Sequence, residues 1–334
     1  MECRIFYHDK CFDGACSASL FMRFHRECVK TADKYSFHGL VHRAGALFEE
    51  SEFLDTAGGN ENAIVDFKYS ASPRVTWWFD HHQSAFLTPE DQKNFEAGQA
   101  DGSQRMRKFF NPNYISCTSW IAHIAQLDFG FDTAPLLELI KWADIVDGAR
   151  YESAKAAVEM AEPAMKLTMV IESAADSSLV QRVIPLLTEM SLQQVLDQGF
   201  VQELLGPLMD RHRAALELIR SRATVEREVI TFDISDTPME GYNKFIPYYL
   251  FPEATYNVGL SKSSFRTKVS VGTNPWTKHA PSRLVNLAEI CERYGGGGHA
   301  RVGAISFPPD REDEARKAVG EIVAELRATA DLRG

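Results

Sequence analysis

VTWWFDHHQS (residues 75–84) opens as an apolar run and ends, with no intervening turn residue, in Asp80, His81 and His82. The run reads as a buried strand, which delivers an acid and two imidazoles at its carboxyl end. The same device occurs twice upstream. CRIFY (3–7) leads into His8, Asp9, Cys11 and Asp13, and AIVDF (63–67) carries Asp66. Between these runs, GACSASLFMRFHREC (14–28) and GALFEESEFL (45–54) predict helices. Strands alternating with helices predict a parallel sheet covered on both faces. In an open sheet of that kind ligands gather at the carboxyl ends of the strands, so these side chains are expected to converge on one edge. Taken singly, a strand-end Asp is more often a turn residue or helix cap, and a His pair is more often surface. Repetition at successive strand ends favours a shared site. Carboxylates and imidazoles crowded together need a cation between them, and the mixed set suits Mn, Fe or Zn better than Ca. A further acid, Asp144, lies in the apolar helix LLELIKWADIV (136–146), where a buried charge requires a partner. Asp147, three residues on, shares that face and competes with it.

The remainder of the chain sets the frame. Its 334 residues predict about two domains, and 45% hydrophobic content is ordinary for a packed core. No apolar run approaches the roughly 18–20 residues of a membrane span, and the amino terminus lacks an apolar signal core, so a cytoplasmic location is expected. A net charge of −10 argues against binding long nucleic acid, which needs a basic surface. The six cysteines form no CxxC pair and read as reduced thiols. Residues 87–112 read as a polar surface loop or lid, and 115–223 as helical. The stretch 191–223 is expected to be one long helix bent near Gly206-Pro207. From 224 onward strand signals return: VEREVITFDI, the candidate hairpin TYNVGLSKSS and FRTKVSV, and RVGAISF, with the helix PSRLVNLAEICERY before Gly295, Gly296, Gly297 and Gly298. Four glycines in a row let backbone N–H groups approach an anion, the alternative being a linker. Arg266 and Lys262 are candidate cationic contacts. The expected division is 1–185 for a metal-binding α/β domain, 186–224 for a helical connector and 225–334 for a smaller α/β domain.

Together, YHDKCFDGACSA, VDF, FDHHQS and YGGGGHARVGAISF, in that order, resemble the DHH phosphoesterase superfamily. The last of them resembles its DHHA1 substrate-binding domain. The resemblance spans roughly residues 1–150 and 225–330 and matches the helical middle only loosely. It implies a parallel-sheet DHH domain joined by helices to a DHHA1-like α/β domain. It also implies a hydrolase with two divalent metal ions, Mn by preference, about 3.5–4 Å apart around an activated water. By this resemblance His8 and Cys11 hold one metal, Asp13, His81 and Asp144 the other, and Asp66 bridges both. Asp80 orients its neighbours, His82 faces the substrate phosphate, and Gly295 to Gly298 with His299 approach the substrate from the other domain. The family commonly has Asp where this chain has Cys11; a thiolate ligand shifts preference toward Zn or Fe, and Asp9 is a substitute ligand if Cys11 is a bystander. The expected substrate is a small phosphorylated molecule or short oligonucleotide, with no membrane partner and with a homodimer compatible. The rival readings are a RecJ-type single-strand exonuclease, which wants a basic channel that this sequence does not offer, and a catalytically silent binding protein on the same fold.

Overall fold

A computed structural model describes residues 1–331 apart from Ala44, Pro238 and Glu240. The chain divides into two compact units, one of residues 1–151 and 161–206, the other of residues 152–160 and 207–334. Among the described residues no helix is long and apolar enough to cross a membrane.

The first unit carries strands β1 (Glu2–His8), β2 (Lys34–Leu40), β3 (Glu61–Val65), β4 (Trp77–Asp80) and β5 (Lys108–Phe110). They form one sheet in the order β2-β1-β3-β4-β5 with every pairing parallel. Around it lie α1 (Phe12–Phe24), α2 (Pro89–Ala100), α3 (Cys117–Phe129), α4 (Leu137–Asp147), α6 (Pro163–Glu172), α7 (Ser177–Glu189) and α8 (Leu192–Leu196), while the short α5 (Ala154–Val158) belongs to the second unit. Because both faces are covered, β4 is apolar at consecutive positions. Trp77 and Phe79 point to α1, with ring centroids 5.7 and 5.9 Å from Phe21. Trp78 points the other way, into Tyr69, Phe86, Phe95 and Phe110. Trp77, Trp78 and Phe79 are each fully buried. Each such ring removes enough area from water to stabilise the fold by roughly 4–6 kcal/mol before entropy is subtracted.

Three local expectations before residue 224 are corrected. Residues 45–54 form no α-helix, only the 3-10 turn Glu50–Glu52, and the strand signal the reading passed over is β2, whose half-buried residues hide its periodicity. Residues 87–112 are not a loop. Thr88 caps α2 reciprocally with Asp91, Pro89 starts the helix, and Lys108–Phe110 closes the sheet as β5. The long helix breaks at Asp197–Gln198, between α8 and α9 (Gly199–Arg222), and α9 runs on through Pro207.

The second unit adds β6 (Thr224–Glu226), β7 (Val229–Asp233), α10 (Ile246–Leu250), β8 (Tyr256–Lys262), β9 (Thr267–Thr273), α11 (Leu287–Glu292), β10 (Gly297–His299), β11 (Val302–Phe307) and α12 (Glu312–Asp331). Its sheet has the order β10-β11-β9-β8-β7-β6, with β7 and β8 parallel and the other pairs antiparallel. The stretch read as one strand at 225–234 is a hairpin, turned at Arg227 and Glu228 with φ of 48° and 60°. Val258, Leu260, Val269 and Val271 of β8 and β9 pack with Leu287, Ile290, Ile322 and Leu326 of α11 and α12.

Candidate metal centre

The sheet order places a switch point between β1 and β3, where chain connections leave in opposite directions and a crevice opens at the carboxyl ends. His8 ends β1 and Asp66 follows β3 directly, so the two flank that crevice. Asp80 ends β4, with His81 and His82 behind it. Asp13 enters from the first turn of α1. Gly14 is required there, because a Cβ at that position would overlap the carbonyl of His8.

Three overlapping groups of ligand atoms lie within 4.8 Å of one another: His8, Cys11 and Asp66; Asp66, His81 and His82; and Asp13, His81 and Asp147. Asp66 belongs to two of them, and its carboxylate is 3.5 Å from His8 Nδ1 through Oδ2 and 3.5 Å from His81 Nε2 through Oδ1. It is 1% exposed and holds a left-handed backbone, φ 56°, which Asp tolerates better than most side chains. His81 Nδ1 lies 3.1 Å from the carbonyl of Tyr114, an acceptor that keeps a proton on Nδ1 and turns Nε2 toward the carboxylates. That Nε2 faces Asp66, Asp147 at 3.6 Å and Asp13 at 3.8 Å. Asp13 is anchored by α3: its carboxylate accepts from the backbone N–H of Cys117 (2.7 Å) and Thr118 (3.1 Å) and from the Thr118 hydroxyl (2.6 Å). Asp80 Oδ1 accepts from His82 Nδ1 at 2.7 Å and from the backbone N–H of His81 at 2.8 Å.

His8 Nδ1, both oxygens of Asp66 and His81 Nε2 are buried with no hydrogen-bond partner among the described residues. Buried polar atoms are rarely left so, and several converging from different strands is the arrangement a cation satisfies. The electrostatics agree. Burial, then Asp66 and Asp147, push the Asp13 carboxyl well above its usual range, and burial and Asp66 push Asp147 up to about 6. Burial opposes charge on His81, yet its contact with Asp66 and the field of Asp13 overcome this and raise it to about 10. Three carboxylates around one imidazole are short of positive charge, and the donor set of imidazole, carboxylate and thiol fits a divalent transition metal.

The structure brings together His8, Cys11, Asp13, Asp66, His81 and His82, and keeps Asp80 beside His82. It does not bring in Asp144. That carboxylate accepts from the Ser116 hydroxyl at 2.6 Å, at the amino terminus of α3, and Asp147 faces His81 instead. Asp9 is likewise turned away, accepting from Ser177 of α7 at 2.6 Å. Cys11 stands at the N-cap of α1 but makes no side-chain cap bond, so its thiol is free to face His8 and Asp66. His42, which the sequence reading did not single out, lies 5.0 Å from the His8 ring and stacks on Phe67; no strand end or spacing marks it.

The remaining candidates belong to the second unit. Gly297, Gly298 and His299 form β10, paired to β11 and exposed. A Cβ at Gly296 or Gly298 would overlap the carbonyl of Ala304 or Val302, whereas Gly297 faces open space. Two of the four glycines are thus demanded by strand pairing. Arg266 Nη1 donates to Ser306 Oγ at 3.2 Å. Lys262 pairs with Glu312 at 3.0 Å.

No family model and no curated protein sequence matches the chain. Solved structures do. The pGpG-specific phosphodiesterase PggH from Vibrio cholerae superposes with a TM-score of 0.65 at 18% identity over 100% of both chains. A DHH-domain member of the s1p family of ribosomal proteins gives 0.55 at 13% identity over 96% of this chain and 86% of that one. An exopolyphosphatase-related protein from Bacteroides fragilis gives 0.50 at 11% identity over 99% and 93%. With its parallel sheet in the order 2-1-3-4-5, its second mixed sheet and these matches along nearly whole chains, the protein has the DHH-domain fold.

Proposed function

We propose that this chain is a divalent-metal-dependent phosphohydrolase acting on a small phosphorylated molecule or a short oligonucleotide. The observation that carries the reading is the set of buried, unpartnered nitrogen and oxygen atoms of His8, Asp66 and His81 facing one another at the sheet switch point. His8, Cys11 and Asp66 would hold one metal, and Asp13, Asp66, His81 and Asp147 a second. Metals bound there supply an activated water and positive charge for the phosphoryl oxygens. The protein's own groups do the rest. Tyr114 holds His81 in the tautomer that presents Nε2. Asp80 holds His82 through Nδ1 and favours its imidazolium, the form whose Nε2 proton could pass to a phosphoryl or leaving-group oxygen. His82 is a third exposed at its side chain, which leaves it reachable by substrate.

A screen over pyrophosphate, polyphosphate, adenosine bisphosphate, cyclic dinucleotides and di- to pentanucleotides tests the proposal. The linear dinucleotide pGpG comes first, as the named substrate of a structural neighbour. Hydrolysis is expected with Mn, is abolished by a chelator and returns on adding Mn back. Activity that survives exhaustive chelation would remove the metal from the mechanism.

Cys11 makes a separate expectation. A thiolate bound to Co(II) gives an intense near-ultraviolet charge-transfer band that carboxylate and imidazole ligands lack. The Co(II)-loaded protein is expected to show that band, and Cys11→Ser and Cys11→Asp to lose it, with Cys11→Asp keeping its metal and moving preference toward Mn. The same spectrum in Cys11→Ser and in the native protein would show that the thiol is a bystander.

A further inference from the structure

A second polar cavity opens at the other end of the same sheet. Its volume is about 630 Å³, within the usual range for small-ligand sites. Glu61 begins β3, Lys108 begins β5, and Arg107 precedes it; all three line the cavity, together with Asn94, Ser103 and Gln104. Asp66 and Asp80 lie at the carboxyl ends of strands whose amino ends border this cavity. At about 3.3 Å per residue the five residues of β3 separate the two places by roughly 15 Å.

Lys108 is the unusual group. It is 6% exposed, yet no carboxylate lies within ion-pair distance of its Nζ among the described residues. Its one hydrogen-bond partner there is the Tyr69 hydroxyl at 3.3 Å, and its ammonium sits 4.8 Å from the centre of the Tyr69 ring. Burial alone pushes the amine down to about 8, so at neutral pH it is still a cation. Glu61, the one acid among the described residues lining the cavity, is already matched. It contacts His25 at 2.5 Å, Arg107 at 3.1 Å and Lys30 at 3.6 Å. The cavity therefore carries one positive charge in excess, on a buried group, and an uncompensated buried charge is costly. The neighbouring donors point to what compensates it. The Tyr69 hydroxyl donates to Asn94 Oδ1 at 2.6 Å, which leaves the Asn94 amide nitrogen as a donor. The Arg107 guanidinium is engaged on the other face of the sheet, with Glu61 and over Trp77, 4.2 Å from the ring centre. An ammonium beside amide donors matches the several acceptor oxygens of a phosphate better than the two of a carboxylate.

We infer that this cavity is a second ligand site, separate from the metal centre, which takes a small phosphorylated molecule by its phosphate with Lys108 as counter-ion. The cavity is larger than phosphate itself, so the phosphate belongs either to the free ion or to an ester such as a nucleotide.

The test uses the full chain stripped of metal, so that phosphate has no cation to bind at the other site. Inorganic phosphate, AMP and adenosine are titrated calorimetrically. Phosphate and AMP are expected to bind and adenosine not to. Equal affinities for the first two identify the phosphate group as the whole determinant, and AMP binding about tenfold or more tighter identifies a nucleotide. Lys108→Met keeps the length of the stem and removes the charge. It is expected to weaken both ligands by about tenfold or more, the loss of one charge-assisted contact. It is also expected to raise Tm in the absence of ligand, because the buried cation is gone, while phosphate raises the Tm of the native chain alone. Asp66→Asn is expected to bind phosphate as the native chain does, which separates this site from the metal centre. Failure of phosphate and AMP to bind, adenosine binding as well as AMP, or unchanged affinity with a lowered Tm in Lys108→Met would each overturn the inference, the last by making Lys108 a structural residue held by Tyr69.

Discussion

Asp66→Asn is expected to lower turnover by about three orders of magnitude or more, the scale of losing the charge that holds catalytic cations, while the chain still folds. The size follows from position. Asp66 is the one carboxylate shared by two of the ligand groups, 3.5 Å from an imidazole on either side. Its carboxyl is held well below the usual range because the contacts with His8 and His81 outweigh its burial, so it is an anion at any working pH. Asparagine keeps the shape and accepts the same left-handed backbone, φ 56°, so the turn after β3 is preserved. What disappears is one negative charge and one of two equivalent oxygens. Metal content is expected to fall with activity, and circular dichroism to stay native. A folded Asp66→Asn protein with native metal content and full turnover would remove Asp66 from the centre and the proposed function with it.

The parts of this molecule that could be read in the sequence are those where burial forces a pattern. β1, β3 and β4 are covered on both faces, so they appear as apolar runs, and the polar residue that ends each run is conspicuous for that reason: His8, Asp66, Asp80. β2 escaped because it lies at the sheet edge with half-exposed residues, and β5 because three residues, KFF, carry no period at all. α2 was hidden by its composition: Phe95 is its one large apolar residue and Gly98 alone is fully buried, so only its cap, Thr88-Pro89-Glu90-Asp91, announces it. The glycine run, which reads as an anion cradle, meets a packing demand that no sequence pattern shows: Gly296 and Gly298 are fixed by the approach of β11. The buried Lys108 left no trace in the sequence either. A lysine at the head of a three-residue strand looks like any surface lysine until β4, Tyr69 and the α2 region close over it.

The choice between Asp144 and Asp147 was left open by the sequence, and the helix phase explains why the structure takes the second. In α4 the buried residues are Leu139 and Ala143, and Leu136 precedes them. Steps of three and four residues along that stripe lead to Asp147, whereas Asp144 is one residue past Ala143 and so about 100° around the helix. Asp147 therefore reaches His81, 3.6 Å away, and Asp144 reaches Ser116. The two acids should fail differently when neutralised. Asp147→Asn is expected to weaken metal binding by about tenfold to a hundredfold and to lower turnover at least as much, without loss of stability in the metal-free protein. Removing that charge even relieves the crowding that pushes its carboxyl up to about 6. Asp144→Asn is expected to leave metal affinity unchanged and to cost about 1 kcal/mol of stability, since it weakens one hydrogen bond at the start of α3. Metal titration and thermal unfolding of the two variants side by side read both effects. If Asp144→Asn lost metal and Asp147→Asn did not, α4 would have to present its other face to the site when the metal is bound, and the assignment of the second metal's ligands would reverse.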